Sequence, residues 1–524
     1  MSTVDLLDVR PAGGEALLVT VADLPSATSL AAHLRAEPLT GQRDLTPAAR
    51  TVLIHARGGT NLRDFAAELA NREVPLLEGS PGKVVTMDVV YDGDDLARVA
   101  ELTSLSASEI IALHTGAEWT AGFAGFAPGF FYLTTSSPFP RVPRRESPRT
   151  SVPAGSVAVA GEFSAVYPRE SPGGWQLLGR TDARLFDLNR APVTLVEPGD
   201  VIRFNAVREL LSVSPAPGVA PPPVAAGTPS LTVIAPGTFS SIQDSGRGGH
   251  SEIGVGAAGF ADRAAARRAN RLVGNAKGAA CIELIGGGFV VQAEADVILA
   301  VTGAPTTMVV FDEESDLREP ESGTPFSLYA GESLEIDFPA AGLRNYLAVR
   351  GGFDTGEVLG SQSTDTLSGI GPLRAPKRLG TGDELPIGSD APHSVGSFEP
   401  DLVPVADAEV EIRFRWGPRD DWFAPEARDA LVSTVWTISP QSNRVGLRLD
   451  GGTLDRDEQH TGELVSEGVV LGAIQVPASG QPIIFHVDHP VTGGYPVIGV
   501  VERQDIDKAA QLPPGTAIRF VARD

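Results

Sequence analysis

The chain has 524 residues, too many for a single hydrophobic core, and we expect two to four domains. Its 42 Lys and Arg against 66 Asp and Glu give a net charge of −24, which argues against binding to nucleic acid or to an anionic membrane surface. Cys281 is the single cysteine, which excludes an internal disulfide or a CxxC metal site. The first residues lack the pattern of a signal peptide, so the expected location is cytoplasmic.

The first part of the chain is predicted to contain two domains. A small α/β domain at 1–84 is followed by a segment of short strands and turns at 85–214. The predicted elements are, in chain order, a strand at 15–21, a helix at 26–36, a strand at 51–56, a helix capped by Asn61, and a helix at 106–114.

A Pro-rich linker is predicted at 215–229 (PAPGVAPPPVAAGTP), where six of fifteen residues are proline. The part that follows reads as strand and turn almost throughout, with one helix at 261–273. Asp262 lies in the first turn of that helix, where negative charge is favoured, and Gly274 supplies a stop. We divide this part into β-rich domains at 230–395 and 396–524.

A weak internal repeat relates the two parts. Three blocks recur in the same order, and we interpret them as a related β-rich unit used twice. The blocks are VPAGSVAVAG (152–161), SPGGWQLLGR (171–180) and PGDVIRF (198–204), matched by VVLGAIQVP (469–477), VTGGYPVIGV (491–500) and PPGTAIRF (513–520).

A Phe-rich stretch at 119–140 (WTAGFAGFAPGFFYLTTSSPFP) contains five Phe and no charged residue. It is about as long as a membrane-spanning helix. Pro128, Pro138 and Pro140 interrupt it, however, so no continuous helix fits and the membrane interpretation fails.

The neighbours of this stretch suggest a functional surface. His114 precedes it and could act as an acid or base, although such a histidine is more often a packing residue. The segment RVPRRESPR (141–149) follows it and could bind phosphate or carboxylate, or could instead pair with nearby acids. We expect some of the phenylalanines to pack inward and the GFAPGF loop (125–130) to line a cleft.

Two other motifs are weaker. GVGAAG (254–259) matches GxGxxG, but no apolar strand precedes it, so a dinucleotide fold is not expected; the loop could still hold an anion. His486, Asp488 and His489 lie in IIFHVDHP, where Asp488 is expected to be a hydrogen-bond acceptor in a polar site rather than a metal ligand. No metal site is predicted, and the chain has no AMKM-type biotin-accepting segment.

Taken together, these blocks resemble a known family. GFAPGFFYL, PRRESPRTSVPAGSVAVAG and SPGGWQLLGRT resemble the B subunit of bacterial 5-oxoprolinase, the allophanate-hydrolase-subunit-1 family. IAPGTFSSIQDSGR, GVGAAGFADRAAARRANRLVGN, NYLAVRGGFD, VLGSQST, LVSEGVVLGAIQVP and GGYPVIGVV resemble the C subunit of the same enzyme, the allophanate-hydrolase-subunit-2 family. The resemblance covers nearly the whole chain, in the order B then C.

The resemblance implies a mainly β fold with α+β parts: cyclophilin-like β-barrels in both halves after the small N-terminal α/β domain. It also implies ATP-dependent opening of 5-oxo-L-proline to L-glutamate together with the separate A subunit of 5-oxoprolinase, with Mg²⁺ expected beside ATP. His114 and Asp488 are the candidate catalytic residues. The candidate substrate- or nucleotide-binding residues are Phe126, Pro128, Gly129, Phe130, Arg149, Gly173, Gly174, Trp175, Gln243, Asp244, Gly246, Arg247, Ser361, Ser363, Thr364, Gly493, Gly494 and Tyr495.

Two alternatives stay open. The same modules form the carboxyltransferase portion of biotin-dependent urea carboxylase, which would require a biotin carrier protein as partner and a urea-derived substrate. They also occur in sporulation proteins, one of which inhibits a histidine kinase. The sequence departs from the common pattern at Gln362, where many relatives have Arg, at HVDHPVTGGYP, where the Arg beside Asp488 is lost, and at Trp119, a place often held by Tyr.

Overall fold

The described part of the chain is mainly β structure, as predicted, with a small α/β unit followed by barrels in both halves. The computed structural model describes residues 2–77, 82–147, 149–210, 224–225, 227–312, 317–400, 409–460, 462 and 464–523. Most of the predicted linker at 215–229 lies outside these residues. No helix in the described ranges has both the length and the apolar character needed to cross a membrane.

An antiparallel sheet of four strands, in the order β1-β2-β4-β3, forms the N-terminal unit with two helices. Its elements are β1 (Leu6–Pro11), β2 (Ala16–Val21), α1 (Leu24–Ala36), β3 (Gln42–Pro47), β4 (Thr51–Ala56) and α2 (Leu62–Ala70). Helix α1 begins after Asp23, which accepts a hydrogen bond from Ser26 N at 2.9 Å. The predicted cap of α2 is confirmed, since Asn61 accepts from Arg63 N at 3.0 Å.

Seven strands, in the order β12-β9-β10-β7-β6-β13-β5, form the second unit. Its elements are β5 (Val84–Val89), α3 (Leu96–Thr103), α4 (Ala107–Gly116), β6 (Trp119–Ala124), β7 (Phe131–Thr134), β8 (Arg149–Val152), β9 (Ser156–Ala160), β10 (Phe163–Val166), β11 (Ser171–Gly173), β12 (Gln176–Arg180) and β13 (Val201–Ala206). Val90 and Arg180 exchange two backbone hydrogen bonds of 2.9 Å, which join the outer strands and close the barrel. Helix α3 was not predicted, since its N-terminus has no side-chain cap.

Two five-stranded sheets share one core in the third unit, with strand orders β19-β21-β17-β14-β23 and β15-β16-β22-β18-β20. Its elements are β14 (Ser230–Pro236), β15 (Phe239–Gln243), α5 (Arg263–Leu272), β16 (Cys281–Ile285), β17 (Phe289–Ala293), β18 (Val297–Gly303), β19 (Met308–Phe311), β20 (Phe326–Leu328), β21 (Ser333–Ile336), β22 (Arg344–Val349) and β23 (Glu384–Pro386). Helix α5 is the predicted one, and Asp262 caps it by accepting from Ala265 N at 2.9 Å.

The last unit is a closed barrel with the strand order β24-β31-β28-β29-β26-β25-β32. Its elements are β24 (Val410–Trp416), α6 (Pro425–Ser433), β25 (Trp436–Ile438), β26 (Gly446–Asp450), β27 (Glu467–Gly468), β28 (Ala473–Gln475), β29 (Ile483–Phe485), β30 (Thr492–Gly493), β31 (Val497–Val501), α7 (Arg503–Ala509) and β32 (Ala517–Ala522). The expectation of one helix after the linker is therefore wrong, because α6 and α7 also form. Both are short, and their stability comes from packing on the barrel.

The internal repeat is confirmed by the pairing of the strands. In each barrel the first strand pairs in parallel with the last, β5 with β13 and β24 with β32. Each barrel also carries a two-stranded ribbon with the Gly-Gly turn, β8–β11 and β27–β30. Trp119 Nε1 donates to His114 O at 3.0 Å, and Trp436 Nε1 donates to Leu431 O at 3.0 Å. His114 and Leu431 therefore occupy equivalent positions.

In each barrel one ion pair joins the two-stranded ribbon to the rest of the barrel, and the acid and the arginine of that pair exchange positions between the two barrels. The equivalent positions are Gly93 and Gly417, Asp95 and Arg419, and Arg149 and Glu467. Asp95 binds Arg149 at 2.7 Å, whereas Arg419 Nε binds Glu467 Oε2 at 3.0 Å. An ionic contact thus holds the ribbon on the barrel in both cases, with the charges exchanged.

Candidate functional site

The GFAPGF loop joins β6 to β7 and reaches the C-terminal half of the chain. Phe126 N donates a hydrogen bond to Thr492 Oγ1 at 3.1 Å, just before the second Gly-Gly turn. A Cβ atom on Gly125 would lie 2.1 Å from the same Oγ1, and one on Gly254 would lie 2.4 Å from Ala127 O. Glycine at these two positions is what allows the loop to touch both the turn and the GVGAAG loop.

Two cavities meet behind the GFAPGF loop. The smaller, about 190 Å³, is here named the apolar chamber; the larger, about 320 Å³, is named the arginine chamber. Gly256, His489 and Val491 line both, so the two chambers adjoin. The apolar chamber is lined by Phe126, Ala127, Pro128, Arg169, Glu170, Ser171, Pro172, Gly254, Gly256, Asp365, Leu367, Ser368, His489, Pro490 and Val491.

The predicted role of the Phe-rich stretch agrees with this geometry. Phe123, Phe130 and Phe131 are at most 2% exposed, while Phe126 and Pro128 line the apolar chamber. Phe131 packs in the barrel core, and Phe123 and Phe130 pack in a second cluster that includes Ala48 and Ala49 of the N-terminal unit. Phe126 adopts a φ of 65°, in the left-handed region, and its ring lies 5.4 Å from that of Phe130. Since a non-glycine residue rarely adopts this conformation, the tertiary contacts of the loop must hold it there.

Asp365 is the buried acid of the apolar chamber. Its Oδ1 accepts hydrogen bonds from Leu367 N at 2.9 Å and Ser368 N at 3.0 Å. A Cβ atom on Gly256 would lie 3.8 Å from Oδ2, so the glycine leaves that oxygen accessible from the chamber. Burial, and then the charge of Asp488, raise the pKa of Asp365 to about 6. Asp365 can therefore exchange a proton near neutral pH.

Asp488 lies behind Asp365 and outside the linings of both chambers. Its two oxygens accept hydrogen bonds of 2.9 Å from Arg444 Nη2 and Nε, and Oδ2 also accepts from Thr366 N at 2.9 Å and Thr366 Oγ1 at 2.6 Å. The expectation that Asp488 is a hydrogen-bond acceptor in a polar site is confirmed. In this position it acts on the chamber through Asp365, so its predicted catalytic role stays a prediction.

His489 stands at the junction of the two chambers. Its Nδ1 donates to Pro490 O at 2.7 Å, which leaves Nε2 as the acceptor of the neutral ring. The ring is stacked on Phe485 with 5.8 Å between centroids. Burial lowers the pKa of His489, and the hydrogen bond to Pro490 O and the charge of Asp488 oppose this shift without reversing it. A neutral His489 can accept a hydrogen bond from a ligand that occupies either chamber.

The other predicted catalytic residue, His114, is placed in the core of the first barrel. It is 0% exposed, hydrogen-bonded to Tyr91 at 2.7 Å and Ser164 at 2.9 Å, and stacked 4.5 Å from Phe204. Burial lowers the pKa of His114 to about 3. It lines neither chamber, and its counterpart in the second barrel is a leucine. The position is that of a packing residue.

The first Gly-Gly turn directly follows Ser171 and Pro172 of the apolar chamber, but its predicted residues, Gly173, Gly174 and Trp175, line neither chamber. Arg149 is bound to Asp95, which also accepts a hydrogen bond from Arg145 at 2.7 Å. Of the two roles predicted for this arginine segment, pairing with nearby acids is the one that these contacts show. A Cβ atom on Gly173 would lie 2.2 Å from Tyr167 Oη, and Gly174 O accepts from Arg145 N at 2.8 Å. Trp175 is 5% exposed, with its ring 5.5 Å from Phe130. Gly129 packs closely on Phe186.

The predicted residues of the QDSGR and SQST motifs form one buried network around Asp244. This carboxylate accepts from Ser361 Oγ at 2.6 Å, from Ser363 Oγ at 2.5 Å and from Gly246 N at 2.8 Å. Gln243 Nε2 donates to Thr364 O at 3.0 Å. Gly246 and Arg247 line the arginine chamber, while Gln243, Ser361, Ser363 and Thr364 hold the two segments together.

The residues of the second Gly-Gly turn lie beside the apolar chamber. A Cβ atom on Gly493 would lie 2.5 Å from Gln475 Nε2, and one on Gly494 would lie 3.9 Å from an Arg144 nitrogen. Tyr495 is 43% exposed. Gln362, one of the departures from the common pattern, accepts from Thr355 N at 2.7 Å and Thr355 Oγ1 at 2.8 Å, so it closes its own loop.

Sequence reasoning missed several residues of the site: Asp365, Arg444, and the arginines of the arginine chamber other than the predicted Arg247. Asp365 directly follows the predicted Ser363 and Thr364, so reading on by one residue would have included it. Arg444 gave no such signal, because its partners Asp488 and Glu283 are distant in sequence. Within the described ranges, no group of three His, Cys, Asp or Glu residues is arranged to hold a metal ion.

The fold and the site are thus two equivalent barrels with two adjoining chambers behind the GFAPGF loop. Residues 253–522 match the family described as carboxyltransferase domain, subdomain A and B, and residues 7–196 match carboxyltransferase domain, subdomain C and D. The first match covers more than half of the chain, which therefore belongs to the carboxyltransferase subdomain A and B family.

Curated relatives correspond to the two halves. The chain is 38% identical to the 5-oxoprolinase C subunit of Escherichia coli K12 over 291 residues, covering 56% of this chain and 90% of that one. It is 43% identical to the 5-oxoprolinase B subunit of Bacillus subtilis over 130 residues, covering 24% of this chain and 54% of that one. The crystal structure of TTHA0988 covers 98% of this chain and 100% of its own, with 32% identity and a TM-score of 0.82.

Proposed function

We propose that this chain is the fused B and C component of an ATP-dependent 5-oxoprolinase, which opens 5-oxo-L-proline to L-glutamate together with a separate A subunit. The similarity of successive segments to proteins named as the B and C subunits of 5-oxoprolinase supports the assignment. The observation that carries it is the apolar chamber of about 190 Å³, which has a size suited to a small ring and contains the buried Asp365.

The proposed chemistry follows from the weakness of a lactam amide as an electrophile. Transfer of a phosphoryl group from ATP to the amide oxygen would make the ring carbon open to attack by water. Water would add to that carbon and give up a proton to a base, and the ring C–N bond would break as the nitrogen takes up a proton to become the amine, which leaves an acyl phosphate. A second water would then release inorganic phosphate from the acyl carbon, so that the products are glutamate, ADP and phosphate. ATP, accompanied by Mg²⁺, would supply the phosphoryl group, and the arginine chamber offers donors suited to its phosphates.

The chain's own residues would position the substrate and move the proton. Phe126, Pro128 and Val491 exclude water from the ring and contact its methylene groups. Ionised Asp365 is the proposed base that takes a proton from the attacking water, and its pKa of about 6 keeps it ionised at neutral pH. Neutral His489 would orient the same water through Nε2.

The test is release of glutamate from 5-oxoproline by this chain co-expressed with the A subunit, with and without ATP. Asp365→Asn should lower kcat by about 10²–10⁴-fold, since that is the contribution of a positioned base. Asp354→Asn is the matched control, because the Asp354 side chain is 63% exposed and bound to Arg374. Absence of glutamate with both proteins folded, or full activity of Asp365→Asn, would reject the corresponding part of the proposal.

A carboxyltransferase reaction is the second candidate, favoured by the description of the matching families. In that case the apolar chamber would receive carboxybiotin from a carrier protein on another chain, and the acceptor would be a urea-derived amide. Incubation with a carboxylated carrier and urea separates the two candidates. Transfer of the carboxyl group from the carrier to urea supports the carboxyltransferase reaction. Glutamate formation without any carrier supports ring opening.

A further inference from the structure

The arginine chamber has a charge opposite to that of the whole chain. Its lining contains five arginines, Arg43, Arg247, Arg263, Arg267 and Arg503, and three acids, Glu15, Asp44 and Glu502. Asp44 accepts hydrogen bonds from Gly249 N at 3.0 Å and Ser251 Oγ at 2.8 Å, and Glu502 pairs with Arg415 at 2.6 Å. Glu502 is thus paired with an arginine outside the chamber, and the five arginines face two further acids, so the wall carries a net positive charge in a protein of net charge −24.

Arg247 lacks hydrogen-bond acceptors that its burial requires. The residue is 2% exposed, and Nη2 donates to Ser363 O. Nε and Nη1 are buried and have no hydrogen-bond partner among the described residues. Leaving a buried donor unsatisfied costs about 1–3 kcal/mol, and more when the group is charged. Native proteins avoid this cost, so the contacts of Arg247 indicate a missing acceptor at the chamber wall.

Arg503, which also lines the chamber, has a similar deficit. Its Nη1 is buried without a hydrogen-bond partner within the described ranges, and the nearest carboxylate oxygen, on Asp507, is 3.8 Å away. Arg503 begins α7 of the second barrel, whereas Arg247 belongs to the third unit. The arginines of the chamber also come from the N-terminal unit, through Arg43 on β3. Three units therefore contribute positive charge to one cavity.

We propose that the arginine chamber is a binding site for a phosphate group, either of a nucleoside triphosphate or of free inorganic phosphate. The guanidinium fork pairs with two phosphate oxygens at once, and a cavity of about 320 Å³ holds a phosphate chain. The inference rests on the proposed function for its biological meaning, since phosphoryl transfer needs a phosphate site beside the ring. Gly256, His489 and Val491 line both chambers and supply that adjacency.

The test is isothermal titration calorimetry of the full chain with inorganic phosphate, tripolyphosphate and ATP, and with malonate as a small dicarboxylate of similar net charge to inorganic phosphate. We expect phosphates to bind and malonate to bind at least about tenfold more weakly, since only phosphate offers the oxygen geometry that several guanidinium groups can share. Arg263→Gln should weaken phosphate binding by at least about tenfold, the effect of losing one charge-assisted hydrogen bond. The double variant Arg43→Gln/Arg267→Gln should weaken phosphate binding to the same extent. Both arginines are exposed, so the fold should be retained.

Arg203→Gln is the matched control, because the Arg203 side chain is 56% exposed, pairs with Glu118 and lies outside the chamber. Its affinity for phosphate should equal that of the unaltered chain. No binding of any phosphate, equal binding of malonate, or unchanged affinity in both chamber variants would overturn the proposal. Tighter binding of ATP than of tripolyphosphate identifies a nucleotide site, and equal binding of phosphate and tripolyphosphate identifies a site for free phosphate.

These outcomes are separable from the failure of the proposed function. Phosphate binding that depends on the chamber arginines, in a protein that forms no glutamate with its A-type partner, would retain the site and reject the ring-opening reaction. Glutamate formation with a kcat/KM for ATP unchanged by Arg263→Gln and by Arg43→Gln/Arg267→Gln would retain the reaction and reject the site.

Discussion

Replacing Arg444 by methionine tests how the second barrel is joined to the third unit. The Arg444 side chain is 2% exposed and binds Asp488, Glu283 and Gly259 O. In Arg444→Met, Asp488 loses its counter-ion and keeps only the hydrogen bonds of Thr366, and Glu283 keeps one arginine, Arg344 at 3.6 Å. A buried carboxylate without its counter-ion costs about 3–5 kcal/mol of unfolding free energy.

The loss should be larger at pH 7.5 than at pH 5.5. Burial acts to raise the pKa of Glu283, but the charges of Arg444 and Arg344 outweigh it and hold that pKa below its usual value in the folded chain. Of the two arginines, Arg444 lowers the pKa more, so in Arg444→Met burial prevails and Glu283 takes up a proton on folding. The folded variant then binds more protons than the unfolded chain at lower pH, and its stability rises relative to the unaltered chain as pH falls.

The assay is urea denaturation followed by tryptophan fluorescence at both pH values. Arg203→Met is the control, and it should change the unfolding free energy by less than about 0.5 kcal/mol, as expected for an exposed ion pair. The double variant Arg444→Met/Asp488→Leu should recover more than half of the loss, because replacing both partners removes the unpaired charge. A loss below about 1 kcal/mol for Arg444→Met, or no recovery in the double variant, would refute the reasoning.

Three further predictions concern the first barrel and its loop. Phe126→Ala should lower turnover more than it lowers stability. Phe131 is 2% exposed in the core, so Phe131→Ala should lower the unfolding free energy by about 3–5 kcal/mol. If both variants lose stability in thermal denaturation as much as they lose turnover, both residues are plain core. Burial lowers the pKa of folded His114 from 6.5 to about 3. Between these pH values the unfolded chain protonates His114 and the folded chain does not, so the free energy of unfolding falls by up to about 4 kcal/mol as pH falls from 6.5 to 3. His114→Leu should flatten that part of the stability–pH curve, and an unchanged curve would contradict the burial. Gly254→Ala should lower the melting temperature more than Gly382→Ala. Both glycines have positive φ, but only at Gly254 would the added Cβ lie 2.4 Å from a carbonyl oxygen. Equal melting temperatures would show that the GVGAAG loop can move away.

Local signals in the sequence were reliable where the physics is local. Asn61 and Asp262 cap helices because a short polar side chain accepts a backbone hydrogen bond within three residues. The repeated blocks carry their own alternation and turn residues, and they form matching strands in the two barrels. Helices α3, α6 and α7 were missed because they are seven to nine residues long and are stabilised by packing rather than by sequence-local interactions.

By itself, the sequence determined the mainly β class, the order of the two related halves, and the GFAPGF loop as a wall of a cleft. Only the tertiary structure decided which residues share that cleft. Phe126 meets Thr492 across 366 positions, and Asp365 lies against Asp488 across more than a hundred. The same packing buries His114 in the core of the first barrel and pairs Arg149 with Asp95. The charge and accessibility of such groups depend on the low-dielectric surroundings that distant segments create, and no local pattern records them.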